Sequence, residues 1–211
     1  MKSHNNASLL SANQITDNLR FHRRPTISSG RLEPSPQAAV LIVNESLRSL
    51  VVVPGQMETI EIGLVVIDLE TLEIVDEFQR FVRPQINPVL TEFCKELTSI
   101  QQADVDSART YAEVGQELGA FIARNPDAAW ASWVDYDARQ LERDAVLAAC
   151  PSLLAGLQHF NVRKWHKGLY DDQPKSLKLT VESLGLVWQG TYHRGIDDAR
   201  NVASIVKEML G

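Results

Sequence analysis

The chain has 211 residues, 44% of them hydrophobic and 23% charged, with a formal net charge of -6 and a sequence pI of about 5.4. That is enough apolar material for one good core, and the acidity argues against a broad electrostatic grip on nucleic acid, though not against an enzyme that holds one strand end. No apolar run is long enough to span a bilayer, and Met1 to Ala12 lack the layout of a signal peptide, so a soluble, cytoplasmic protein with no membrane partner is expected.

Residues 1–38 are polar and aperiodic, with Ser28-Ser29-Gly30 and the prolines Pro25, Pro34 and Pro36, and read as a flexible tail. Its basic and aromatic cluster Arg20-Phe21-His22-Arg23-Arg24 is most simply a solvated charge run. Ala39 to Val43 is an apolar run suited to a central strand. Glu58 to Asp68 and Glu73 to Val82 follow as two further strands, and the short polar turn between them makes an antiparallel hairpin. The period then changes. Pro88 to Leu97 reads as a short helix and Tyr111 to Arg124 as an amphipathic one, with Val114, Leu118, Phe121 and Ile122 on one side. Ala128 to Val134 is a strand, Asp137 to Cys150 a helix, Phe160 to Trp165 a strand, and Ser176 to Leu186 a helix stopped by Gly185. The order predicts an α/β protein: a mixed sheet, with a three-strand antiparallel meander plus parallel strands, flanked by helices on both faces. Cys94 and Cys150 have no CxxC or Cys/His spacing, which points to two thiols in a reducing compartment rather than a zinc site.

The last segment carries the chemistry. Ala199, Val202, Ala203, Ile205, Val206, Met209 and Leu210 recur at helical steps, with Asp197 as the expected N-cap and Asp198 in the first turn. His193 lies a short loop upstream, and Gly195 is expected to free the backbone so that imidazole and carboxylate turn toward one point. A carboxylate that holds a cation and a histidine that takes a proton from water are the parts of metal-assisted hydrolysis. Taken alone, the stretch is more simply a helix cap and a surface histidine. A second informative stretch, Ser132-Trp133-Val134-Asp135-Tyr136-Asp137, runs from a strand end into a helix, the usual place for a site in such a sheet. Asp135 and Asp137 there either cap the helix or bind metal.

Together with Glu58-Thr-Ile-Glu-Ile-Gly63, Phe81-Val-Arg-Pro84, Asn87-Pro88 and Phe93-Cys94-Lys-Glu-Leu-Thr98, these motifs resemble the DEDDh exonucleases of the RNase T and proofreading-subunit superfamily. The branch is that of the histone-mRNA 3′-end, enhanced-RNAi and sporulation-inhibitor types. The resemblance covers about Val40 to the C-terminus, so residues 39–211 are expected to form one RNase H-like exonuclease domain. It implies two divalent cations, Mg²⁺ or Mn²⁺, and release of nucleoside 5′-monophosphates from a single-stranded 3′ end of RNA or DNA. By position it implies Asp137 and Asp198 as metal ligands, His193 as general base, and Trp133 and Tyr136 as substrate-binding residues. Two such ions about 4 Å apart activate a water and hold the leaving oxygen.

The chain departs from the family at its first motif, an Asp-x-Glu on the first strand. Asn44 stands at the aspartate position and Ser46 at the glutamate position, while the intervening Glu45 belongs to the opposite face. The cluster falls from four carboxylates to two. Glu45 is a conceivable substitute only if the strand shifts by one, which would flip every apolar neighbour, and Glu58 and Glu61 are two others, although the simpler reading makes both solvent-facing. Val134 and Ser99 also stand where glycine is usual. Three functions follow: an exonuclease with an altered metal site, an inactive pseudo-exonuclease that binds strand ends, and a protein-interaction module built on the same scaffold.

Overall fold

The computed structural model describes residues 39–47, 57–126, 128–171 and 176–211, the first of these spans by its backbone pairing. The predicted tail, 1–38, lies outside the described residues. One five-stranded sheet organises the rest. Its strands are β1 (Ala39–Leu47), β2 (Thr59–Asp68), β3 (Ile74–Phe81), β4 (Ala129–Ser132) and β5 (His159–Asn161), in the order β3-β2-β1-β4-β5. β1 and β3 flank β2 antiparallel, and β4 runs parallel to both β1 and β5. This is the expected mixed sheet with an antiparallel meander.

The helices are α1 (Glu92–Thr98), α2 (Gln102–Asp106), α3 (Tyr111–Ile122), α4 (Tyr136–Leu147), α5 (Val162–Tyr170), α6 (Leu177–Ser183) and α7 (Gly195–Leu210). Every residue of β2 is buried because both of its faces are covered. Ile62, Leu64 and Val66 pack with Phe78, Trp130 and the inward sides of α3 and α4, among them Leu118 and Leu141. Val65 and Ile67 face the other way, against Trp165 of α5 and the Ala199, Val202 and Val206 stripe of α7. Burying a side chain of this size contributes about 1.5–3 kcal/mol, so neither layer is dispensable. A third, smaller cluster joins Ile60 to Leu90 and Cys94 beside α1 and to Ile100 and Val105 beyond it.

Two expectations are corrected and one element is added. The strand predicted over 160–165 ends at Asn161, whose side chain accepts the Lys164 N–H at 2.9 Å and so caps α5. Val162, Trp165 and His166 are then buried at helical spacing, which a strand could not achieve. The short helix α2 was not predicted, since Val105 is its one buried residue and no stripe announces it. Asp197 is not the N-cap of α7: Arg194 holds that position without a side-chain cap bond, and Asp197 is the third residue inside.

The β1–β2 register sets the first-motif positions. Asn44 pairs with Gly63 and Ser46 with Glu61, so both positions lie on the α7 face of the sheet. Position 45 pairs with Ile62 and lies on the α3/α4 face, as strand alternation predicts.

Candidate functional site

The start of α7 is pressed onto β2 at a contact only glycine permits. A Cβ on Gly63 would overlap the backbone of Gly195 and Ile196. Gly195 itself takes ordinary helical backbone as the first residue of α7, and the left-handed conformation lies instead at His193, which has φ +66°. Beside this contact Glu61 is fully buried, not solvent-facing as expected. Its carboxylate accepts Arg194 Nε and Nη2, both at 3.1 Å, Gly195 N–H at 2.7 Å and Gln79 Nε2 at 3.0 Å. A buried charge is tolerable when hydrogen bonds and an opposite charge surround it, and the positive end of α7 adds to both. These partners use the carboxylate to fasten helix to sheet.

The His193 loop is fastened from behind. Asn201 accepts the Gln189 N–H at 3.1 Å and donates to the carbonyls of Gln189 and Asp197, each at 2.8 Å. Asp197 accepts the Thr191 N–H at 2.8 Å and pairs with Arg200 at 2.9 Å. Gly190, at φ +72°, leaves no room for a Cβ against the Asp197 carboxylate. The His193 ring stacks on Tyr192 with centroids 3.9 Å apart, and burial pushes its pKa below the usual 6.5. Burial therefore favours the neutral imidazole, the form that can accept a proton.

Asp198 is 6% exposed, and its Oδ1 accepts the His193 N–H at 3.3 Å. Burial pushes its pKa up to about 8, and the nearby charges of Asp137, Asp197 and Glu61 add to the rise. Asp137, equally buried, is the second residue of α4. The structure thus sets Asp137 near enough to Asp198 to raise its pKa, and places the His193 backbone on the Asp198 carboxylate. It does so from opposite layers, because α4 lies on one face of the sheet and α7 on the other.

The remaining predicted residues fall elsewhere. Glu58 is buried, again against expectation, and accepts the N–H groups of Gln85, Ile86 and Asn87 at 2.6–3.1 Å. Trp133 is 7% exposed and packs into the α7-side core. Tyr136 is half-buried, with its hydroxyl 4.0 Å from Met57 Sδ. Asp135 is committed to Asn161 and Lys164, each at 2.6 Å. Ser99 takes the left-handed conformation, φ +59°, for which its glycine counterpart would carry no penalty. The clamps made by Glu61 and Asn201 were not foreseen. Asn201 gave a signal, a polar residue at a buried helical position, whereas Glu61 on a strand gave none.

The donor set does not fit a two-cation centre. Hard divalent cations seek several anionic oxygens, and Asp137 and Asp198 supply two carboxylates while positions 44 and 46 are neutral. Glu58 and Glu61 are spent on other partners, and no group of three or more His, Cys, Asp or Glu side chains is placed to hold an ion among the described residues.

Comparison with known proteins gives a consistent picture. Residues 51–206 match the RNase T family model, described as exonuclease. The 3′-5′ exonuclease eri1 of Schizosaccharomyces pombe is 32% identical over 182 residues, covering 72% of this chain and 60% of the relative. Human 3′-5′ exoribonuclease 1 is 33% identical over 166 residues, covering 72% and 46%. The chain spans about half the length of these curated relatives. The nuclease domain of 3′hExo, a DEDDh family member solved with rAMP, superposes with a TM-score of 0.77 at 28% identity, covering 83% of this chain and 93% of that one.

Proposed function

This chain belongs to the RNase T exonuclease family, and from that membership we propose that its cleft takes the 3′ end of single-stranded RNA and hydrolyses it slowly. The observation that supports this reading is the approach of Asp137 to Asp198, with the His193 backbone held on Asp198, beside two first-motif positions that carry no charge. Divalent cations serve this family generally, and on this reading the two carboxylates left at Asp137 and Asp198 are too few for the full two-cation centre, which is why turnover is slow. The parts needed to hold a strand end outlast that loss, because the neutral His193 and the fastening of its loop depend on Tyr192, Asn201 and Asp197.

A labelled RNA oligonucleotide incubated with Mn²⁺ tests the reading. The unmodified protein should bind it and shorten it slowly. Asn44→Asp with Ser46→Glu should speed shortening by at least about tenfold, the low end of the cost of losing even an outer-shell metal partner. His193→Ala in that background should abolish the gain. Equal rates for the unmodified and doubly substituted proteins would show that the neutral positions are not what limits turnover.

A further inference from the structure

The outward face of α4 carries Tyr136, Arg139, Arg143, Val146 and Leu147 at three- and four-residue steps, which places them along one side of the helix. Val146 is 81% exposed and Leu147 42%. With Arg139, Arg143 and Glu142 they line a shallow groove of about 470 Å³. Among the described residues neither arginine has an ion pair, whereas Arg80, Arg109, Arg124, Arg194 and Arg200 all do. Arg143 donates from Nη2 to Gln140 Oε1 at 2.5 Å, its Nε is buried without a partner, and the guanidinium sits 5.5 Å from the Tyr136 ring. Like charges four residues apart disfavour a helix unless an anion lies between them. Glu142 is the single acid in the groove lining and pairs with neither arginine.

The stripe starts at the cleft, since Tyr136 adjoins Asp137, and runs about 18 Å along the helix at the usual rise per residue. We propose that this face of α4 is the track for nucleotides upstream of the 3′ end, with Arg139 and Arg143 on backbone phosphates and Val146 and Leu147 against base faces. The assignment rests on the strand-end reading of the cleft. Guanidiniums without a carboxylate partner suit phosphate oxygens, and exposed aliphatic side chains beside them suit the apolar faces of unstacked bases. A protein partner would have no need for the cations to continue from the strand-end cleft.

Fluorescence anisotropy with an RNA dinucleotide and an RNA decanucleotide separates track from cleft. Arg139→Gln with Arg143→Gln should leave dinucleotide affinity within about twofold and weaken the decanucleotide. The decanucleotide's salt slope should become shallower by about 1.4, two phosphate contacts at about 0.7 each for a single strand. Arg139→Glu alone, at an exposed position, should act in the same direction, and Lys207→Gln on the far side of the molecule should not. An unchanged salt slope and an unchanged decanucleotide-to-dinucleotide affinity ratio would overturn the track while leaving the cleft reading intact. Parallel loss of both ligands would also overturn it, by placing the arginines in the cleft's own function. Failure of the unmodified protein to bind either RNA would overturn both readings.

Discussion

At the scale of single residues, Asp198 shows what the cleft costs when no cation is bound. A buried carboxyl with a pKa near 8 holds a proton that the unfolded chain, with a pKa of about 3.9, releases. Between about pH 4 and pH 8 the folded state therefore binds more protons than the unfolded state, and stability falls as pH rises through that window. Thermal melts in the presence of chelator should show a midpoint that declines from pH 5 to pH 8, with Asp198→Asn flattening the decline. An equally steep decline in the variant would place the titrating group elsewhere. The same environment keeps His193 neutral, because burial penalises its charged form.

At the scale of elements, the α7–β2 contact fixes the cleft. Gly63→Ala would drive a methyl group into the Gly195–Ile196 backbone, which no rotamer can relieve. The expected loss is at least about 3 kcal/mol, the upper range for overpacking, read by urea denaturation. A well-folded Gly63→Ala protein of unchanged stability would mean that α7 docks more loosely. Helices with a regular apolar stripe were legible: Val114, Leu118 and Phe121 of α3, and Val202, Ile205, Val206 and Met209 of α7, are buried as their spacing foretold. The α5 stripe was equally regular, but Phe160 and Val162 alternate across Asn161 and imitate a strand at the point where one ends. Within the cleft, the order of Asp137, His193 and Asp198 along the chain follows a family motif, and the buried proximity of Asp137 to Asp198 agrees with that order. The burial of Glu58 and Glu61 was not, because their partners are backbone N–H groups and an arginine remote in sequence.

At the scale of the whole molecule, one sheet separates two cores, and β2 contributes alternate residues to each. Neither core can open without exposing the other side of the same strand, so the domain should unfold as a unit. Trp130 reports on the α3/α4 side, and Trp133 and Trp165 on the α7 side. Tryptophan fluorescence and far-ultraviolet circular dichroism should accordingly trace coincident urea transitions, and two separated transitions would show that the layers come apart. Among the described residues, no helix is long and apolar enough to cross a membrane.

Asp137 and Asp198 approach from helices on opposite sides of that sheet, which has a consequence for any occupant. A strand end seated against both would act as a rivet through the two layers. Its occupancy would add to resistance against heat by mass action, about 2.7 kcal/mol at a hundredfold excess over the dissociation constant. A ligand of that kind would make the fold more durable even where no phosphodiester bond is cut.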